Sequence, residues 1–325
     1  MKKVIKIKFV DFWGDFNDHS NFITRILENS YVLELSDNPD YLFYSTFGNE
    51  HTQFQCVKIM FIGENIAPDF NLCDYAIGFD HMTFGDRYLR LPLYQLYNSY
   101  TKLESEKVLD FDKLLKRKFC CIVVSNIAHA SPHRERFFKL LSEYKQVDSG
   151  GRMWNNVGGP VKNKLEFVSN YKFNIAFENS SVLGYTTEKI MEPMAVNTLP
   201  IYWGNRLVNQ DFNPSSFINV NDFSSMEDAV QHIVDIDNDD SKYINIMSEP
   251  WILDREMLSW RSRLTDFLIK IIEKPLADAK YLSDFGYQHI YRSSLYSTCS
   301  LYKDRQTDES GLLKRVYRKL NAILR

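Results

Sequence analysis

Apolar and polar positions alternate with period two at the start of the chain. Residues 4–10, Val-Ile-Lys-Ile-Lys-Phe-Val, predict a first strand, and Asp11 to Asn17 a loop at its end. Helical spacing follows over Asn21–Asn29, then strand runs at Tyr41–Phe47, Cys56–Ile62 and Tyr75–Phe79. A charged stretch over 101–117 reads as helical and as a linker. The strand pattern restarts at Phe119–Val124 and ends in Ser125-Asn126, with a helix over Arg134–Tyr144 after Pro132. Gly150, Gly151, Gly158, Gly159 and Pro160 mark a long loop. Phe173, Ile175 and Phe177 then alternate as a buried strand. A polar turn with Asn179, Ser180, Ser181 and Gly184 follows, and residues 185–189 open a helix interrupted by Pro193. Leu199–Trp203 is a short strand ending at Gly204, Glu227–Val234 a helix, Asp235–Asp240 an acidic turn, and Leu258–Ile272 a last helical stretch. Strands and helices alternating twice over predict an α/β fold class: two Rossmann-like domains facing a central cleft. The expected division is 1–100, a linker at 101–117, a second domain at 118–275 and a tail at 276–325.

The length of 325 residues suits two domains of ordinary size. With 39 Lys and Arg against 42 Asp and Glu, the net charge is −3, without the basic surplus of a nucleic-acid binder. Five cysteines, two of them adjacent and none in a C-x-x-C, argue against a disulfide framework or a zinc site and favour a reducing compartment. The N-terminal apolar run carries lysines inside it, so it does not read as a signal peptide or a membrane span. The expectation is a cytoplasmic chain, peripheral at most on the inner face of the cytoplasmic membrane.

Residues 171–204 carry the most chemistry. Strand, polar turn, helix, strand is the parallel unit whose carboxyl edge holds nucleotides. The turn brings amides, an aromatic ring, an acid and a base to one helix start, which suits a nucleotide diphosphate. Tyr171-Lys172-Phe173, Phe177-Glu178-Asn179-Ser180, Tyr185-Thr186-Thr187-Glu188-Lys189 and Pro200-Ile201-Tyr202-Trp203-Gly204 stand in order. Together they closely resemble the donor motif of the α1,3-fucosyltransferases, glycosyltransferase family 10. Upstream, Gly63-Glu64-Asn65, Pro68-Asp69-Phe70-Asn71, Asp74–Asp80 and Asp86–Tyr94 resemble that family's N-terminal-domain signature.

The resemblance implies an inverting, bacterial-type enzyme that moves L-fucose from GDP-fucose to a GlcNAc-containing glycan. The implied linkage is α1,3, on N-acetyllactosamine, Lewis-type or lipopolysaccharide O-antigen structures. Other readings are the same family with an α1,4 or other linkage, another GDP-sugar, or a non-catalytic glycan- or nucleotide-binding protein. It also implies residue roles. Glu64 would be the general base. On spacing alone a Glu after a strand is most often a solvated loop acid. Lys189 and Arg134 would hold the diphosphate; Arg134 stands in a first helical turn beside Arg136, with which it could be confused. A fixed Arg and Lys would stabilise the leaving GDP, so no metal or other cofactor is expected. Glu188 would accept ribose hydroxyls, though an acid in a first turn also suits the helix dipole. Asn179 and Tyr185 would line the nucleotide or fucose, against plain turn chemistry and packing. Trp13, before Gly14, would stack on an acceptor sugar or sit at the rim of the core.

Other signals carry less. Asp235-Ile236-Asp237 spells D-x-D but reads as a solvated turn, and the EF-hand pattern fails at Asp240 and Ile246. Pro132 argues against a metal pair from His129 and His133. Met191 and Met194 read as core. Residues 311–325 set Leu312, Leu313, Val316, Tyr317, Leu320, Ile323 and Leu324 against Lys314, Arg315, Arg318, Lys319 and Arg325. That is a basic amphipathic helix able to lie on an anionic membrane surface or to dock on the protein.

Overall fold

A computed structural model describes residues 2–125, 127, 130–253 and 259–298. The chain forms two compact units: residues 1–77, 84–89 and 264–325, and residues 78–83 and 90–263. The first unit is built on β1 (Lys3–Val10), β2 (Tyr31–Leu35), β3 (Tyr41–Tyr44), β4 (Val57–Phe61), β5 (Tyr75–Gly78) and β6 (Tyr88–Arg90), in sheet order β2-β1-β3-β4-β5-β6. The pairings of β1 with β2 and β3, of β3 with β4 and of β4 with β5 are parallel. In β1 the alternation of the sequence becomes alternation of faces: Ile5 and Ile7 are buried while Val4 faces out. β3, β4 and β5 are buried along their whole length, as central strands of a parallel sheet must be. α1 (Phe22–Leu27) starts where Asn21 caps it in a reciprocal box with Thr24.

The second unit contains α2 (Phe111–Leu115), β7 (Lys118–Ile122), α3 (His133–Tyr144), β8 (Val147–Ser149), α4 (Lys164–Val168), β9 (Tyr171–Phe177), α5 (Glu188–Met194), β10 (Leu199–Trp203), β11 (Ile218–Asn219), α6 (Met226–Asp237) and α7 (Asp240–Ser248). Its sheet runs β11-β10-β9-β7-β8, again parallel in every pairing. β9 lies at the centre with all seven residues buried. Phe173, Ile175 and Phe177 each contribute about 1.5–3 kcal/mol by leaving water. Its buried polar residues are paired: Asn174 donates to the Cys121 carbonyl, and Lys172 faces Asp237 and Asp240.

α8 (Trp260–Ile272) contains the last division of the chain, so residues 264–275 belong with the first unit and not with the second domain expected from sequence. The reason is polar anchoring. The Tyr31 hydroxyl donates to Glu273 at 2.7 Å, and Lys274 pairs with Asp86 at 2.5 Å. After α9 (Leu276–Ala279), the amides of Tyr281 and Leu282 both donate to the buried Asp74. Residues 286–298 are helical, and from them the Tyr296 hydroxyl accepts from Lys58 at 2.8 Å.

Other differences are local. The stretch 101–117 is not one helix: a 3-10 turn at Asn98–Leu103 and α2 flank irregular chain, inside the second unit. Asp235–Asp240 is not a solvated turn. Asp237 closes α6 and is buried under Tyr144, Lys145 and Lys172. Asp239 then caps α7, an additional helix. Met191 and Met194 are core residues. Cys56, Cys73, Cys120 and Cys121 are free thiols. The stretch 311–325, His129 and the start of the 258–272 stretch lie outside the described residues.

Candidate active site

The carboxyl ends of β9 and β10 meet at a corner shaped by Glu178 and Gly204. The Glu178 amide donates to the Trp203 carbonyl at 2.9 Å, carrying the sheet one residue beyond β9. Gly204 has φ +156°, and a Cβ there would lie 2.5 Å from Glu178 Cγ, so the corner closes only around a glycine. Asn205 is fully buried and staples the following turn: its Oδ1 accepts from the Gly184 and Leu207 amides, and its Nδ2 donates to Thr186 Oγ1. Gly184, at φ +83°, lets the turn pass close to the Phe79 carbonyl. Tyr185 then rests edge-on to Phe79 and is only 5% exposed. α5 starts at Glu188 with Thr187 as its cap. Pro193 falls in its last turn, and α5 ends after seven residues.

The sequence-derived donor residues converge here. Arg134, in the first turn of α3, is 4% exposed, and its Nη2 donates to the Phe177 carbonyl at 2.7 Å and to Asn179 Oδ1 at 2.8 Å. Arg136 points elsewhere, to Glu227 in an exposed ion pair. Lys189 lies 3.1 Å from Glu178 Oε2 and 3.8 Å from Glu188 Oε1. Arg134, Lys164 and Lys189 line one small hollow with Asn174, Ile175 and Phe177. Burial pulls the Lys189 pKa down, but the Glu178 and Glu188 carboxylates outweigh it and leave the value above the ordinary one. Burial raises the Glu188 pKa, yet Lys189 and Lys164 hold it below the usual range. Burial also depresses the Arg134 guanidinium, with Glu178 and Glu188 opposing it; an arginine stays charged regardless. The result is a partly buried cluster of three cations and two carboxylates at the carboxyl edge of a parallel sheet, an arrangement able to receive a diphosphate.

Three residues at this corner, Glu178, Lys164 and Tyr97, were not singled out from sequence. Glu178 stands inside the quoted motif, but a carboxylate ending a strand gives no sign that it will be wholly buried. Tyr97 is 43% exposed overall; burial of its phenol end and the Glu188 carboxylate push its pKa upward. Its place before the Asn98–Leu103 turn carried no signal.

Glu64 and Trp13 stand in the first unit. Glu64 is exposed, three residues beyond β4. Trp13 is 37% exposed and sits among Phe12, Phe16, Phe47 and Phe61. A Cβ on Gly63 would lie 4.0 Å from Trp13 Cζ3, so the indole borders the turn that presents Glu64. Asp11, at φ +59°, ties these loops together by accepting from the Glu50 and His51 amides and from the His51 ring. The carboxyl ends of β1 and β4 thus place a carboxylate beside a half-open aromatic surface.

Two family models match the chain: the alpha-(1,3)-fucosyltransferase FucT N-terminal domain over residues 7–97, and the glycosyltransferase family 10 (fucosyltransferase) C-terminal region over 114–265. The alpha-(1,3)-fucosyltransferase FucT of Helicobacter pylori is 36% identical over 287 residues, covering 75% of this chain and 60% of that protein. The chain therefore spans about 60% of the length of that curated relative. A crystal structure of an alpha1,3-fucosyltransferase superposes with a TM-score of 0.73 at 32% identity, over 84% of this chain and 91% of that one. A crystal structure of an alpha1,3-fucosyltransferase with GDP-fucose gives a TM-score of 0.71 at 32% identity, over 84% and 92%.

Proposed function

The chain belongs to glycosyltransferase family 10, the fucosyltransferases, with its GT-B class of α/β fold, and from that premise we propose that it transfers L-fucose from GDP-fucose to a GlcNAc-containing glycan, forming an α1,3 link with inversion. The observation that carries the reading is the convergence of Arg134 and Lys189 around the Phe177–Asn179 corner. Both cations neutralise the departing GDP, which asks for no metal in this scheme. Glu188, steadied by Tyr97, accepts the ribose hydroxyls, and Asn179 fixes the Arg134 fork. Tyr185 shapes the turn from a buried position rather than offering an open ring.

In this scheme Glu64 takes the proton of the acceptor hydroxyl as it attacks the anomeric carbon. The C1–O bond to the diphosphate breaks, and GDP leaves with the bonding pair. Trp13, half-exposed beside the Glu64 turn, offers its ring to the apolar face of an acceptor sugar. We place the enzyme in the cytoplasm, with residues 311–325 as its contact with the membrane surface; they would bring it to acceptors built on lipid carriers.

The test is release of GDP from GDP-fucose with and without N-acetyllactosamine, with the product linkage read by NMR. Acceptor-dependent release is expected to fall at least about 100-fold in Glu64→Ala, with GDP binding unchanged. A product linked α1,4 moves the linkage assignment and keeps the rest. Tight GDP binding with no release from any GlcNAc glycan would favour the non-catalytic reading.

A further inference from the structure

Glu178, at the donor corner, is an ionisable side chain that no step above uses. Glu178 is fully buried, yet its carboxylate faces three donors. Oε1 accepts from the Thr187 amide at 2.8 Å and from its hydroxyl at 3.0 Å. Oε2 accepts from that hydroxyl at 2.8 Å and from Lys189 Nζ at 3.1 Å. The Thr187 hydroxyl also lies 3.1 Å from Lys189 Nζ, while it reaches the Lys189 amide only at 3.5 Å. The capping hydroxyl thus serves α5 weakly. The firm acceptor for the Thr187 amide, just ahead of that helix, is the carboxylate from the end of β9. Gly204 holds the space for this carboxylate by lacking a side chain.

We propose that Glu178 is the positioning residue of the donor site, fixing the Lys189 ammonium where a diphosphate arrives and, through Thr187, setting the turn that carries Glu188. The inference rests on the donor-site reading above. A lysine on a flexible stem loses rotamer entropy when a ligand immobilises it. Here that freedom is already removed by two fixed oxygens, Glu178 Oε2 and Thr187 Oγ1. A buried carboxylate also offsets part of the positive charge offered to phosphate. That loss is small beside the gain, because Arg134 and Lys164 remain and a buried lysine without a carboxylate sheds its proton more readily. The groups facing Lys189 are Glu178 beyond β9, Glu188 on its own helix, Arg134 on α3 and Lys164 on α4, the last also paired with Glu192. Removing the Glu178 charge leaves Glu188 alone to hold Lys189 protonated against burial and Arg134.

The experiment is calorimetric titration of the full chain with GDP from about pH 7 to about pH 10, for wild type, Glu178→Gln, Lys189→Met and the double variant. Glu178→Gln is expected to weaken GDP about tenfold at neutral pH and to bring an alkaline decline into a range where wild type is flat. Lys189→Met is expected to weaken binding and abolish that decline, and the double variant to match Lys189→Met alone. An affinity and pH profile of Glu178→Gln equal to wild type, tighter binding, or losses that simply add would overturn the inference. Wild type failing to bind GDP at all would overturn the donor-site reading beneath it. Should Glu178→Gln not fold, Thr187→Val carries the test: a smaller downward move of the alkaline limb, reversed in Thr187→Ser, is expected, and an unmoved limb refutes the proposal.

Discussion

Arg134 and Arg136 differ by two positions and, in sequence, by almost nothing. Residues two apart lie on nearly opposite sides of a helix, so only one can turn toward the sheet. Arg134 does, reaching the Phe177 carbonyl and Asn179 while Arg136 stays with Glu227 in solvent. Arg134→Lys is therefore expected to weaken GDP binding about 10- to 100-fold, because Nη2 alone serves both protein acceptors and a lysine has no second nitrogen to turn toward a phosphate. Arg136→Lys should change it by less than about twofold. Titration calorimetry compares the two directly. Lys189, Glu188 and Asn179 were legible because motif and helix start coincide. Glu178 was not, since its role depends on Gly204 leaving room and on Thr187 turning its amide inward, neither of which a local pattern encodes.

Among the elements, the buried central strands were the easiest to read. β10 matches its expected bounds, and β9 and β4 lie within a residue or two. β2, β6, β8 and β11 were missed: they are two to five residues long, and each stands at a sheet edge, where few inward positions leave little apolar period. α7 was hidden because its capping aspartate looked like part of an acidic turn. The loops beyond β1 and β3 are a third case, since their order comes from one side chain. Asp11 is desolvated, which raises its pKa, but the His51 ring and the His51 and Glu50 amides lower it further, to below its ordinary 3.8. A depressed folded pKa gives stability that is present above the unfolded value and lost as pH falls through the folded one. Asp11→Asn should therefore lower the unfolding free energy by about 1–3 kcal/mol at neutral pH. The gap should close below about pH 4 as wild type loses its own charge. Urea melts at the two pH values measure both.

At the scale of the whole molecule, the first unit is made from both ends of the sequence. Its sheet is laid down by residue 90, yet Asp74 receives two of its three backbone donors from Tyr281 and Leu282. Ending the chain after residue 279 would leave that buried carboxylate with only the Lys58 amide, and Lys58 without Tyr296. The expected cost is about 2–5 kcal/mol in the first unit, seen as a lower or split transition in scanning calorimetry. GDP affinity, which the proposed donor site assigns to the second unit, should be retained at temperatures where both units stay folded. Sequence could not show this return of the chain, because the anchoring groups are ordinary lysines, tyrosines and backbone amides.

The same closure sets a timetable for synthesis. Asp74 leaves the ribosome 207 residues before the amide of Tyr281 that completes its shell. At about 5–20 residues per second, the gap is roughly 10–40 s. The second unit, nearly contiguous in the chain, is translated within that interval and is free to finish folding first. A ribosome that stalls between the two halves therefore holds a finished second unit while the sheet of the first still has its buried charges open to water. In that window chaperones and proteases would meet this protein.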